Sequence, residues 1–143
     1  MPDPVLTVRG CRWISISGAS DQRGRLNFIE AGKGLDFPPK RIFWLHGVPA
    51  GHRRGRHAHR EAQVVLVALA GGCRVHLDDG KAKETVLLDD PGKGLHVGPF
   101  IWHELSDFSP DTAVLVMASM LREDAEFIQD YEEFQRLTVA RAA

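Results

Sequence analysis

Two histidines one residue apart, His57 and His59, stand in the stretch RRGRHAHREAQVVLVALAGG that runs from Arg53 to Gly72. Imidazole takes up and releases a proton near neutral pH, with an ordinary pKa of about 6.5, and its neutral form is also a ready metal ligand. In an extended strand side chains alternate, so both rings point to one face while Arg56, Ala58 and Arg60 point to the other. One histidine alone at a strand end is usually structural and partly exposed. Two on one face, backed by the apolar run Val64 to Ala70, share a single pocket or patch. Proton transfer, metal ligation and a plain strand end are the three readings of the pair.

The elements that would position them are short. Turn residues punctuate the chain at SGASDQRG, GKG, FPPK, GVPAG, LDDGK, DDPGKG and FSPD, and between them lie runs such as RIFWL, QVVLVAL, CRVHL, ETVLL and TAVLVMAS. Short segments rich in Val, Leu and Ile at that spacing predict an all-β sandwich or barrel rather than βαβ units. Asp79-Gly80, between CRVHL and ETVLL, supplies the residue types of a hairpin turn. Near the C-terminus the period changes: Phe127, Tyr131 and Phe134 recur at i, i+4 and i+7, which predicts an amphipathic helix from about Asp124 to Arg136 whose aromatic stripe packs on the sheet or on a partner subunit.

The chain has 143 residues, 43% of them hydrophobic, which is enough for one domain, residues 1–143, with a core of its own. Eighteen Lys and Arg against nineteen Asp and Glu leave a formal charge of -1, so no basic field draws nucleic acid. The two cysteines, Cys11 and Cys73, form no CxxC pair, and no apolar stretch is long enough to cross a bilayer. A cytoplasmic protein with reduced thiols and neither nucleic-acid nor membrane partners is the expectation.

HAHREAQ has the spacing of the first cupin motif, in which H-x-H followed four residues later by Glu supplies three metal ligands and a later histidine the fourth. Here the Glu position is Gln63, a neutral amide and a weaker ligand for a divalent ion. Five residues after Pro99, where the second motif's histidine is expected, stands Glu104, with His103 one residue early and on the opposite face of a regular strand. Metal-free acid/base chemistry is therefore expected, with no metal and no other cofactor.

Read together, QRGRLNFIE, KRIFWLHGVPAGHRRGRHAHREAQVVLVALAGGCRVHLDDG, GLHVGPFIWHELSDFS, VLVMAS and DYEEF resemble the sugar-nucleotide 3,4-ketoisomerases over roughly Val5 to Phe134. The resemblance implies a cupin jelly-roll β-barrel with a C-terminal helix, a homodimer that exchanges an N-terminal strand, and a dTDP-linked 4-keto-6-deoxyhexose as substrate. It implies conversion of dTDP-4-keto-6-deoxyglucose to a 3-keto product in deoxyamino-sugar synthesis. Arg23 with His103 resembles the branch whose product is galacto-configured. Moving a ketone from C4 to C3 needs a base for the C3 proton and a donor for C4, and paired imidazoles serve both. His57 and His59 are the catalytic candidates, with His59, nearer the apolar strand, as the base. Arg23, Arg41 and Arg54 are candidates for the diphosphate, since guanidinium offers a planar fork of donors. Gln63, Trp102 and His103 complete the expected substrate contacts. The family often has tyrosines where this chain has Phe43, Trp44 and the LREDAEFI segment from Leu121, and its one tyrosine is Tyr131. A non-catalytic nucleotide-sugar-binding cupin and a metal-dependent cupin enzyme are the alternatives.

Overall fold

The computed structural model describes residues 5–142. Twelve strands precede one helix: β1 (Cys11–Ser15), β2 (Ser17–Asp21), β3 (Gly24–Phe28), β4 (Arg41–His46), β5 (Arg54–His59), β6 (Val64–Ala70), β7 (Cys73–Asp78), β8 (Lys83–Leu88), β9 (Lys93–Val97), β10 (Trp102–Ser106), β11 (Ala113–Ala118), β12 (Phe127–Ile128) and α1 (Tyr131–Ala142). Two five-stranded antiparallel sheets, in the orders β1-β9-β6-β11-β4 and β12-β5-β10-β7-β8, form the jelly roll, and β2-β3 stands apart as a hairpin.

Alternate residues of the two sheets meet in the main core, with Val64, Leu66, Val114 and Val116 facing Val75, Leu77 and Leu105. The unbroken apolar run of β6 has a simple cause. Its other face, Val65 and Val67, is covered with Met117 by Phe37 and Leu35 of the 29–40 segment, so both faces lie out of water. The predicted hairpin joins β7 to β8 through Asp79–Ala82, with Gly80 at φ 93 and the Asp79 amide donating to the Ala82 carbonyl.

The helix begins later than its aromatic stripe predicts. Phe127 and Ile128 form β12, pairing with His59 and Ala58, and only Tyr131 and Phe134 belong to α1. Asp130 decides the start: its carboxylate accepts from the Glu132 amide and its carbonyl from the Phe134 amide, the two bonds of an N-cap. The fully buried Phe134 then packs on Trp102 and Ile128, sealing the outer face of the second sheet.

Candidate active site

β5 delivers the two histidines, and β10 delivers a third. His103 pairs across the sheet with His57, so both rings rise on the same face. The next pair is Glu104 with Gly55, which leaves Arg56 without an opposite residue: a β-bulge, with Gly55 at φ 83 and Arg56 at φ 60. Glycine is favoured at 55, because its φ lies in the left-handed region and a Cβ there would press on the His103 carbonyl oxygen at 3.1 Å. Glu104, at the position expected to face the pocket, instead points outward and holds Arg53 and Arg56, each at 3.2 Å. Alternation along β10 is regular, with Trp102 and Glu104 outward and His103 and Leu105 inward, so only the offset of the cupin motif is departed from, and His103 is the inward residue.

The three rings form one cluster. His57 and His59 lie edge to face with centroids 5.1 Å apart, His57 and His103 at 4.8 Å, and His59 stacks over His103 at 5.8 Å. Phe127, on β12, closes one side at 5.0 Å from His57 and 4.8 Å from His59. His59 and His103 are buried, while His57 is half-buried toward the cavity. Burial, then the neighbouring imidazoles, push the proton affinity down: His59 to about 4, also under the influence of Arg41, and His103 to about 3. His57 is lowered too, first by burial and then by Arg122, against a bond from Nδ1 to the Gly55 carbonyl at 3.1 Å that raises it.

The cluster forms the floor of a cavity of about 210 Å³ between the sheets. Arg41 and Arg54 line it, as does Arg122 from the loop before β12. Arg41 lies over the Phe43 ring at 4.2 Å and Arg122 over Phe127 at 4.7 Å. The two guanidiniums sense each other, since burial and Arg122 both depress Arg41. Neutral imidazoles below and cations around them make a cavity suited to an anion whose uncharged part reaches the floor. Arg122 and Phe127 escaped the sequence reading because their placement depends on β12 pairing with β5, a contact between residues far apart in the chain.

Three expected contacts lie elsewhere. Gln63 is on the other side of the first sheet, where its Oε1 accepts from His96 Nε2 at 2.8 Å; Val64 is the residue that faces the histidines. Trp102 faces outward beneath α1, 5.3 Å from the Tyr131 ring and 5.8 Å from Phe134. Arg23 sits at the tip of the β2–β3 hairpin, paired with Asp21 at 2.7 Å and largely exposed, remote from this chain's own cavity. Trp44, on the outer face of edge strand β4, is 60% exposed. Both cysteines are buried with thiols pushed up to about 12, which removes them as nucleophiles.

As a metal centre the site has three donors. One ring nitrogen from each of His57, His59 and His103 lies within 4.8 Å of the others. The carboxylate expected from the cupin pattern is replaced on this face by Val64, so the set fits a transition ion with an open fourth position but not a closed structural site.

Comparison with known proteins places these features in context. The family described as FdtA, WxcM-like, C-terminal, matches residues 9–139. A curated relative from Aneurinibacillus thermoaerophilus, TDP-4-oxo-6-deoxy-alpha-D-glucose-3,4-oxoisomerase, is 41% identical over 123 residues, covering 86% of this chain and 88% of its own. Among solved structures, a histidine-to-asparagine mutant of the 3,4-ketoisomerase QdtA from Thermoanaerobacterium thermosaccharolyticum, in complex with TDP-4-keto-6-deoxyglucose, superposes with a TM-score of 0.91 at 27% identity, covering 94% of this chain and 98% of that one. A 3,4-ketoisomerase from Helicobacter canadensis gives 0.85 at 33% identity, covering 90% and 97%.

Proposed function

Because the chain belongs to the FdtA (WxcM-like, C-terminal) family of sugar-nucleotide 3,4-ketoisomerases, we propose that it moves the ketone of a dTDP-linked 4-keto-6-deoxyhexose from C4 to C3. The observation that carries this reading is the convergence of three neutral imidazoles and three guanidiniums on one cavity. The guanidiniums take the diphosphate, leaving the sugar over the histidines. A base removes the C3 proton, the freed pair forms the C3–C4 double bond, and the C4 carbonyl oxygen gains a proton to give an enediol. Loss of the O3 proton restores a carbonyl at C3 while C4 takes a proton. No net oxidation occurs.

Depth and access favour exchanging the two expected roles. His59 is the deeper ring, but that depth drops its proton affinity to about 4 and makes it the weaker base. His57 is more open to the cavity, and its Nδ1–H is committed to the Gly55 carbonyl, which leaves the Nε2 lone pair free. His57 is therefore the base at C3, and His59 relays the proton toward oxygen. Arg122, close enough to His57 to act on its charge, offsets the negative charge that develops as the proton leaves. A divalent ion in the three-histidine set would polarise the carbonyl as a Lewis acid. The proton-transfer reading requires none.

His103, packed against both other rings, completes the floor at C4. The face on which C4 is protonated sets the product, and the Arg23–His103 pair supports the galacto configuration. Arg23 reaches a cavity only if the hairpin crosses to a second copy. The exposed Leu26 and Phe28 on that hairpin, together with the open edge β4, support an exchanged homodimer. The deciding experiment is incubation with dTDP-4-keto-6-deoxyglucose in deuterated water, with the product read by NMR. A 3-keto product labelled at C4 is expected; unchanged substrate with dTDP still bound would leave a binding protein instead.

A further inference from the structure

One carboxylate outside the cavity grips the backbone that aims the proposed base. His57 Nδ1 donates to the Gly55 carbonyl at 3.1 Å, and because a carbonyl only accepts, the ring is fixed in the tautomer whose Nε2 carries a lone pair. A single residue, Arg56, lies between that carbonyl and His57, so its backbone angles set the bond. Arg56 is the inserted residue of the β5 bulge and stands at φ 60. A residue with a side chain keeps such a left-handed conformation only where its surroundings hold it. The hold comes from the outer face of the sheet. Glu104 Oε1 accepts from Arg56 Nε at 3.2 Å, and its Oε2 accepts from Arg53 Nη1, also at 3.2 Å, so one carboxylate ties down both ends of the segment 53–56. Its side chain is 21% exposed against 50% and 66% for the two arginines, which makes it the anchored member of the group. It also offsets the charge of RRGR, where three cations fall within four residues.

We infer that Glu104 is a positioning residue for the isomerisation: through Arg56 and Arg53 it holds the β5 bulge in the shape that presents the Gly55 carbonyl to His57. It touches neither the cavity nor a substrate bound there, and borders instead an outer hollow with His76, Lys83 and Tyr131. Without the carboxylate, Arg56 loses its anchor, its φ relaxes, and the Gly55 carbonyl turns away from Nδ1. The tautomer with the proton on Nε2 then becomes populated, and that nitrogen cannot take the C3 proton. Arg54 is under weaker control, because it pairs with Leu105 beyond the bulge and faces the cavity. The effect on rate rests on the proton-transfer reading; the hold on the His57 ring is a property of the resting protein and stands without it.

The test compares Glu104→Ala and the isosteric Glu104→Gln with the parent in the full chain, reading exchange at C3 of dTDP-4-keto-6-deoxyglucose, dTDP affinity, and the His57 tautomer by ¹⁵N NMR. In Glu104→Ala the exchange rate should fall by about tenfold, short of the hundredfold that a misplacement of 1 Å can cost, with dTDP affinity at the parent value and the His57 ring a mixture of tautomers. Glu104→Gln should show the same changes at smaller size. Adding Arg56→Gly to Glu104→Ala should restore most of the rate, since glycine holds a positive φ unaided. A merely structural role predicts a further loss, because glycine weakens a strand. Arg74→Ala, which breaks an ion pair with Asp107 at 3.5 Å on the same outer face, should leave the rate unchanged. Parent rate and parent tautomer in both Glu104 variants overturn the inference, as do equal losses of rate and dTDP affinity or a failed rescue by Arg56→Gly. A mixed tautomer at parent rate overturns the link to catalysis. A mixed tautomer in a protein that never exchanges C3 leaves the hold on His57 standing and defeats the isomerase reading.

Discussion

His96 lies alone on the outer side of the first sheet and the cluster of His57, His59 and His103 on the inner side of the second, and only the cluster has the makings of a site. His96 is 8% exposed, its proton affinity is pushed down chiefly by burial, and its Nδ1 has no partner. All three statements hold for His59 as well, at 5% exposure. The difference is company. His96 Nε2 is tied to Gln63 and its ring lies 6.2 Å from Phe37 against an apolar cluster, whereas His59 opens with two other imidazoles onto a cavity lined by arginines. A perturbed histidine is thus a weak pointer by itself; a cavity and a complement of charge turn it into chemistry.

The sharpest way to break that comparison is to remove one ring from each group. His57→Asn should reduce exchange of the C3 proton with deuterated solvent by about a hundredfold to ten-thousandfold, the usual worth of a positioned acid or base, while His96→Asn leaves the rate per folded molecule unchanged. Equal losses in the two variants, followed by NMR, would erase the distinction between them.

Acid should act next. A histidine whose folded affinity is below its unfolded value of 6.5 binds fewer protons folded than unfolded, so its stabilising contribution is full above that pH and is lost as pH falls. For His59 the window runs from 6.5 down to about 4, and its share is on the order of 3 kcal/mol. Chemical denaturation from pH 7.5 to 4 should show this loss, and His59→Asn should flatten it more than any single change at exposed His52 does.

Binding should separate the guanidiniums from the floor. Arg54→Ala is expected to weaken dTDP binding by about tenfold to a hundredfold and Arg54→Lys by less, because lysine keeps the charge and loses the fork. Calorimetry showing the same affinity in parent and both variants would make Arg54 a surface residue. The smallest effect belongs to the other side: Gln63→Leu, which strips His96 of its acceptor, should cost about 1–3 kcal/mol of stability and leave dTDP affinity untouched. A change in affinity would put Gln63 back in the site.

Gln63 also shows where reading along the chain runs out. The alternation that puts His57 and His59 on one face holds inside β5, but residues 60–63 form the turn before β6, and a turn resets which parity faces inward. The facing residue is therefore Val64. At β10 the cupin motif's offset points to Glu104, whereas the strand's own alternation, in unbroken register with β7 from Trp102 to Ser106, turns His103 inward; the inserted residue of the neighbouring bulge is Arg56, on β5. The aromatic stripe misplaced the helix start for a related reason: Phe127 and Ile128 fit either period, and pairing with His59 and Ala58 outweighed helical continuation.

What the sequence determined by itself was therefore local: short strands between turn residues, the hairpin at Asp79-Gly80, the histidine pair on one strand face, and the motifs that carry the family. These depend on dihedral preference and on periodicity within a few residues. The tertiary structure alone decided that His103 joins the pair, that Arg122 and Phe127 close over it, and that Trp102 and Gln63 turn away. Each of those outcomes is set by packing or pairing between segments distant in the chain, or by a turn that reverses the face a side chain presents.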